Sequence, residues 1–207
     1  MAEAVRCLGA VLAGGASSRM GTDKAFVEIG GVPMVVRAVE ALRAAGPAPV
    51  LVVGGDRERL HALGLDVLED RYPGAGPLGG VITALGVLDS HGDALEAVVT
   101  MPCDVISPDA AAVRRVLAGL AAAADSAGGS ADADLIVPIG AGAPQWAHAA
   151  WRRRCLGPLT EAFERGVRAL REVARQLQAV EVEVPGEGWF RDADRPEDLP
   201  PGRRARP

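Results

Sequence analysis

Residues 7–24 read Cys7-Leu8-Gly9-Ala10-Val11-Leu12-Ala13-Gly14-Gly15-Ala16-Ser17-Ser18-Arg19-Met20-Gly21-Thr22-Asp23-Lys24. The first part, through Ala13, is apolar without a single charge, and it stops at paired glycines. A short continuous apolar run with glycine punctuation is the pattern of a strand buried on both faces, as in a parallel sheet covered by helices. The second part, from Gly14 to Lys24, has the makings of a phosphate cradle. Gly14 and Gly15 let backbone N–H groups approach an anion, Ser17 and Ser18 can donate, and Arg19 and Lys24 bring two positive charges. The stretch is neither a Walker A loop nor G-x-G-x-x-G. On spacing alone, a glycine-rich turn carrying solvated basic side chains is an equally good reading.

The rest of the chain repeats the strand-then-helix rhythm. Pro33 opens a helix with Val35, Val36, Val39 and Leu42 on one face and Gly46 as its stop. Residues 50–53 read as a second strand, closed by Gly54-Gly55, with Asp56 capping a short helix to Leu63. A third strand covers 66–68, and a glycine-rich loop over 72–80 leads into a helix reaching Leu88. Residues 97–101 form the next strand and 109–124 the next helix, followed by a polar loop over 125–134. Strands are expected at 135–138 and 146–151, the latter alternating, then helical spacing over 152–177 broken near Gly166, and a half-exposed strand at 180–184. This alternation predicts a three-layer α/β/α domain with a mostly parallel, Rossmann-like sheet. One domain spans 1–199, and the Pro/Arg-rich residues 200–207 read as a disordered tail.

Composition narrows the function. The chain has 207 residues, with 49% apolar and 24% charged, enough to bury a core without disulfide or metal staples. Aromatics make up 3% and the net charge is −5, which argues against nucleic-acid binding. Cys7, Cys103 and Cys155 are widely separated and form no C-x-x-C or Cys/His cluster, so neither a disulfide framework nor structural zinc is expected. No run approaches the roughly 20 apolar residues of a membrane span, and no signal peptide is visible, so a reducing cytoplasm is the expected compartment.

In an open α/β sheet the ligand lies beyond the carboxyl ends of the strands, so the residues just past each apolar run are the candidates. Asp104 follows the strand at 97–101. A lone Asp there suits a helix cap or turn, yet a single carboxylate facing a triphosphate also suffices for Mg²⁺. Asp70 and the segment holding Gly76, Gly79 and Gly80 could be a surface loop or a place where backbone approaches a nucleoside. Asp192 and Asp194 point the same way if extended, although Asp194 could equally cap the Pro196 turn. Trp146, His148 and Trp151 read as core packing with one satisfied histidine, flanking a pterin being the alternative. His61 and His91 have no partner spacing for a metal, and Cys103 reads as packing because no base is near it in sequence.

Together these segments resemble a known family along nearly the whole chain. Leu12-Ala13-Gly14-Gly15-x-Ser17-x-Arg19-Met20-Gly21-x-Asp23-Lys24 is similar to the signature loop of nucleotidyltransferases with the nucleotide-diphospho-sugar transferase fold. With residues 73–80, Cys103-Asp104 and Asp192-x-Asp194-x-Pro196-Glu197-Asp198-Leu199, the chain most resembles the molybdenum cofactor guanylyltransferases. The resemblance implies transfer of GMP from GTP to molybdopterin, with Mg²⁺ as cofactor and pyrophosphate as the other product. It also implies roles: Leu12, Ala13, Gly14, Gly15, Gly76 and Gly79 around the nucleotide, Asp70 by the nucleoside, Arg19 and Lys24 on the phosphates, Asp104 on the metal, and Asp192 and Asp194 by the acceptor. Partners in this setting are small molecules and, beyond them, molybdenum-insertion or molybdoenzyme chaperone proteins.

Three positions depart from the family pattern. Gly54 stands where an Asn is common, Asp192-x-Asp194 where related guanylyltransferases often carry Asn-x-Asn, and Ile106 where a Pro is usual. The acidic pair is shared with sugar-phosphate and cytidylyl branches. Cytidylyl transfer to molybdopterin, or nucleotidyl transfer to another small phosphorylated metabolite, is therefore the second expectation. A catalytically silent nucleotide-binding module is the third, and the clustered charges argue against it.

Overall fold

The computed structural model describes residues 5–14, 23–125, 133–186, 188–193 and 196–199. Chain order begins with strand β1 (Cys7–Leu12), the β2 (Glu28–Ile29) and β3 (Val32–Pro33) hairpin, helix α1 (Met34–Ala45), β4 (Val50–Val53), α2 (Arg57–Ala62), β5 (Val67–Leu68) and α3 (Gly76–Gly86). It continues through β6 (Ala97–Pro102), α4 (Ala110–Asp125), β7 (Leu135–Gly140), β8 (Ala143–Pro144), β9 (Ala150–Arg152), α5 (Leu156–Glu164), α6 (Leu170–Ala174) and β10 (Ala179–Glu183).

β1 is central because both its faces are apolar. Cys7 and Val11 enter one buried cluster, with Val35, Val39 and Leu42 of α1 and Val116 and Leu120 of α4. Leu8 and Ala10 enter the opposite cluster, with Val81, Ile82 and Leu85 of α3 and Leu159 of α5. The period-two alternation of strand side chains thus becomes two cores, one above and one below the sheet. Among the described residues the sheet runs in the order β10-β7-β9-β6-β1-β4-β5, with β8 beside β7. β1 pairs in parallel with β4 and β6, β4 with β5, and β7 with β10, while β9 runs against both β6 and β7. The expected three-layer, mostly parallel sheet is the observed one.

Local chemistry sets several boundaries. Gly46, at φ 120°, ends α1 where the sequence predicts a stop. The Asp56 side chain accepts from the Arg59 N–H and caps α2 as expected. Two expectations need correction. The loop over 72–80 ends early, because α3 already begins at Gly76, with Pro77 preset for a first helical turn. Gly79 and Gly80 are therefore helical, and their lack of side chains serves packing. The strand over 146–151 is also shorter: Trp146–His148 is a 3-10 turn, and only Ala150–Arg152 is strand. Apolar/polar alternation over so few residues does not separate strand from turn.

Candidate active site

The order β6-β1-β4-β5 reverses direction at β1. The chain passes from β1 to β4 and β5 on one side, then returns through α3 to β6 on the other. That is the switch point where an open α/β sheet leaves a crevice. Register aligns the strand ends, since Leu12 lies opposite both Val53 and Pro102, and Val53 opposite Leu68. The first hydrogen bonds beyond the strands keep the row level. Cys103 N–H donates to Leu12 O at 3.1 Å, Ala13 N–H to Val53 O at 2.9 Å and Gly54 N–H to Leu68 O at 3.0 Å. Residues remote in sequence thereby emerge along one edge.

The crevice holds a cavity of about 210 Å³ whose lining includes Leu12, Ala13, Gly14, Lys24, Asp70, Gly76, Gly80 and Asp104. Within it Lys24 Nζ lies 3.0 Å from Asp104 Oδ2, and the two side chains are only 16% and 20% exposed. A pair so shielded attracts more strongly than a surface pair, and removing one member would strand the other. The scaffolding is visible. Asp23 accepts from Ala25 N–H and caps the 3-10 turn Lys24–Phe26. Asp104 O accepts from Ala193 N–H at 2.9 Å, and Val105 bridges Asp192 in antiparallel fashion. A small apolar cluster of Val27, Met34, Ile106, Ala193 and Leu199 packs these three segments together.

Asp70 follows β5. Its Oδ1 accepts from Tyr72 N–H at 3.0 Å and from the Thr83 hydroxyl at 2.8 Å. Its Oδ2 sits 3.1 Å from where a Cβ on Gly14 would be, so only glycine leaves that contact open. Thr83 is buried in α3 and also accepts from Arg71 N–H, fixing the Asp70 turn. Sequence reading missed Thr83, whose sole signal is one hydroxyl in an otherwise apolar helix. A second cavity of about 580 Å³ adjoins the first, sharing Ala13, Gly14, Asp23 and Asp70 and extending over Gly54, Gly55 and Pro73.

Other expected residues fall elsewhere. Gly79 does not line either cavity; a Cβ there would meet Tyr72 Cβ at 3.0 Å and Tyr72 O at 3.2 Å, so its smallness lets α3 approach the preceding turn. Asp192 is exposed, beside the Asp104 segment. Gly15, Ser17, Ser18, Arg19 and Asp194 lie outside the described residues. Trp151 is fully buried and donates to Thr100 Oγ1 at 3.1 Å, as core packing requires. His148 is packed edge-on against Trp189 and Phe190, but its Nδ1 has no partner among the described residues, which corrects the expectation of a satisfied histidine. Burial lowers its pKa to about 3. Burial pushes the Cys103 thiol up, with Asp104 adding to the effect, which suits a packing residue.

No group of three His, Cys, Asp or Glu residues able to enclose a metal occurs among the described residues. The donor set is instead one carboxylate beside a lysine at the mouth of a cleft. That fits a hard cation arriving with phosphate oxygens and keeping its own water, as Mg²⁺ does, and does not fit an all-protein cage. No described helix is long and apolar enough to cross a membrane.

Comparison with known proteins gives a consistent picture. Residues 9–181 match the family model described as MobA-like NTP transferase domain. The chain is 30% identical to a "Probable molybdenum cofactor guanylyltransferase" of Methanothermobacter thermautotrophicus, over 92% of this chain and 95% of that one. It is 40% identical to a molybdenum cofactor guanylyltransferase of Cereibacter sphaeroides, over 58% of this chain and 62% of the relative. For four curated relatives the matched stretch spans between 43% and 62% of their length. The crystal structure of molybdopterin-guanine dinucleotide biosynthesis protein A from Archaeoglobus fulgidus superposes with a TM-score of 0.69 at 21% identity, covering 93% of this chain and 94% of that one.

Proposed function

The chain belongs to the MobA-like NTP transferase family, and from that premise we propose that it transfers GMP from GTP to the terminal phosphate of molybdopterin, releasing pyrophosphate. The observation that carries the reading is the Lys24–Asp104 pair, 3.0 Å apart in the crevice between β1 and β6. An ammonium and a carboxylate held together at a strand edge are what a metal-bound triphosphate needs, one to meet phosphate oxygens and one to meet the cation. The names of the relatives supply guanine and the molybdenum cofactor.

The reaction is an in-line displacement at the α-phosphorus. An oxygen of the acceptor phosphate forms the new P–O bond while the bond to the β-phosphate oxygen breaks. The acceptor is already anionic and needs no general base, so orientation and charge neutralisation carry the catalysis. Lys24 is assigned to the phosphates, where it exchanges part of its contact with Asp104 for phosphate oxygens. Asp104 would hold Mg²⁺, which supplies Lewis-acid neutralisation of the phosphate charge. Gly14 presents backbone without a side chain, and Asp70, anchored by Thr83, accepts from the nucleoside. Asp192, next to the Asp104 segment, is assigned to the acceptor side. Residues 1–199 are assigned to one catalytic domain.

The test is pyrophosphate release from GTP, CTP, ATP and UTP, each with and without molybdopterin, in Mg²⁺. Release from GTP that requires molybdopterin is expected. Release from CTP in its place would make the chain a cytidylyltransferase, and no release from any triphosphate would overturn the enzymatic reading.

A further inference from the structure

The second cavity is chemically unlike the first. Its lining brings the carboxylates of Asp23, Asp56, Glu69 and Asp70 together with one guanidinium, Arg57. Such a wall repels phosphates and accepts a neutral, donor-rich group. Its backbone side is glycine: a Cβ on Gly54 would meet Gly14 Cα at 3.2 Å, and one on Gly55 would meet Ala13 Cβ at 3.3 Å. These glycines therefore let the turn after β4 close against the backbone that follows β1, which forms the inner wall of the cavity. The place also suits the length of a nucleotide. Asp104 follows β6 and Glu69 follows β5, three strand spacings apart in the order β6-β1-β4-β5, or about 14 Å. A triphosphate at the Lys24–Asp104 end puts its base at the β5 end.

Of the four carboxylates, three already have work. Asp23 and Asp56 cap helical turns, and Asp70 is tied to Tyr72 and Thr83. Glu69 is exposed to the cavity and has no hydrogen-bond or ion-pair partner among the described residues, and the same holds for Arg57. The two share one cavity without pairing to each other.

We propose that Glu69 and Arg57 select the base in this chain, Glu69 accepting from the N1–H and 2-amino group of guanine and Arg57 donating to O6 and N7; this rests on the guanylyl-transfer reading above. Guanine is the base with two adjacent donors on one edge and two acceptors on the next. A carboxylate takes the two donors in parallel. Adenine and cytosine each turn a ring-nitrogen acceptor toward the same carboxylate, which repels them, and uracil offers a single donor.

The experiment is titration calorimetry of the full chain in Mg²⁺ with GTP, ITP (which lacks the 2-amino group), 7-deaza-GTP (which lacks N7) and CTP. The unaltered chain is expected to bind GTP about tenfold more tightly than ITP or 7-deaza-GTP, one charge-assisted hydrogen bond in each case. Glu69→Ala should bring the GTP/ITP ratio near one, with Glu69→Gln, which keeps one acceptor, in between. Arg57→Ala should do the same to the GTP/7-deaza-GTP ratio. A purely structural role would weaken all four ligands together and leave the ratios alone. Selective GTP binding in the unaltered chain, with a ratio surviving its variant, overturns that residue's assignment and leaves guanylyl transfer standing. An unaltered chain that prefers CTP, or binds no triphosphate, overturns the guanylyl reading itself.

Discussion

At the scale of single residues, the site depends on two opposite charges that hold each other in place before any ligand arrives. Asp104→Asn keeps the shape and removes the charge. It should lower kcat/KM for pyrophosphate release by about a hundredfold or more, and raise the Mg²⁺ concentration giving half-maximal rate. Lys24→Ala should raise KM for the triphosphate about tenfold and lower kcat as well. Because the partners touch at 3.0 Å, the double variant should lose less than the sum of the two single losses in free energy, and steady-state kinetics of the three variants checks this. An additive double variant would mean that the pair does not act as a unit. Lys24 and Asp104 were both legible in the sequence, one at the far end of the glycine-rich loop and the other just after an apolar run. Their contact was not, because 80 positions separate them.

At the scale of elements, α3 shows how a motif can be recognised and its geometry misjudged. Glycines and prolines over 72–80 suggest a loop, yet Pro77 starts a helix and the glycines allow close approach. Gly79 in mid-helix costs about 1 kcal/mol relative to Ala in propensity. That cost is tolerated because Tyr72, its ring tilted against Phe163 with centroids 4.6 Å apart, occupies the space a side chain would need. The neighbouring Tyr72 carbonyl is pinned as well, accepting from Ala75 N–H. Gly79→Val should therefore destabilise the fold by about 1–3 kcal/mol through overpacking, read as a lower urea midpoint with unchanged m-value. An unchanged midpoint would show that the turn before α3 yields freely. The hairpin of β2 and β3 and the short β8 were not anticipated either, since two-residue strands carry no periodic signal.

At the scale of the whole molecule, the two cores on either side of the sheet are close-packed and apolar, and His148 is a titratable group buried against Trp189 and Phe190. Its folded pKa of about 3 lies below its ordinary value of 6.5. Between those values the unfolded chain binds the proton and the folded chain does not, so stability should fall as pH drops from about 6.5 toward 3 and be complete above that window. Carboxylates also contribute to acid unfolding, so the measurement is a difference. His148→Phe, beside Trp189 and Phe190, should show a shallower decline of melting temperature between pH 6.5 and 4 than the unaltered chain. Parallel declines would mean that His148 is protonated in place. The same burial raises Cys7 and Cys155 to about 12, keeping both as neutral thiols near neutral pH.

The sequence by itself determined the architecture and the chemical repertoire. Short apolar runs closed by glycine or proline, alternating with helical spacing, imply buried strands in an α/β sandwich, and the charges placed after those strands lie at the sheet's carboxyl edge. What the tertiary structure alone decided is which of those charges meet. Strand order β6-β1-β4-β5 and the register of Leu12 with Val53 and Pro102 bring Lys24 to Asp104 and leave Glu69 and Arg57 facing one cavity. Strand order and register arise from contacts between segments far apart along the chain, whose energies no local pattern of residues encodes.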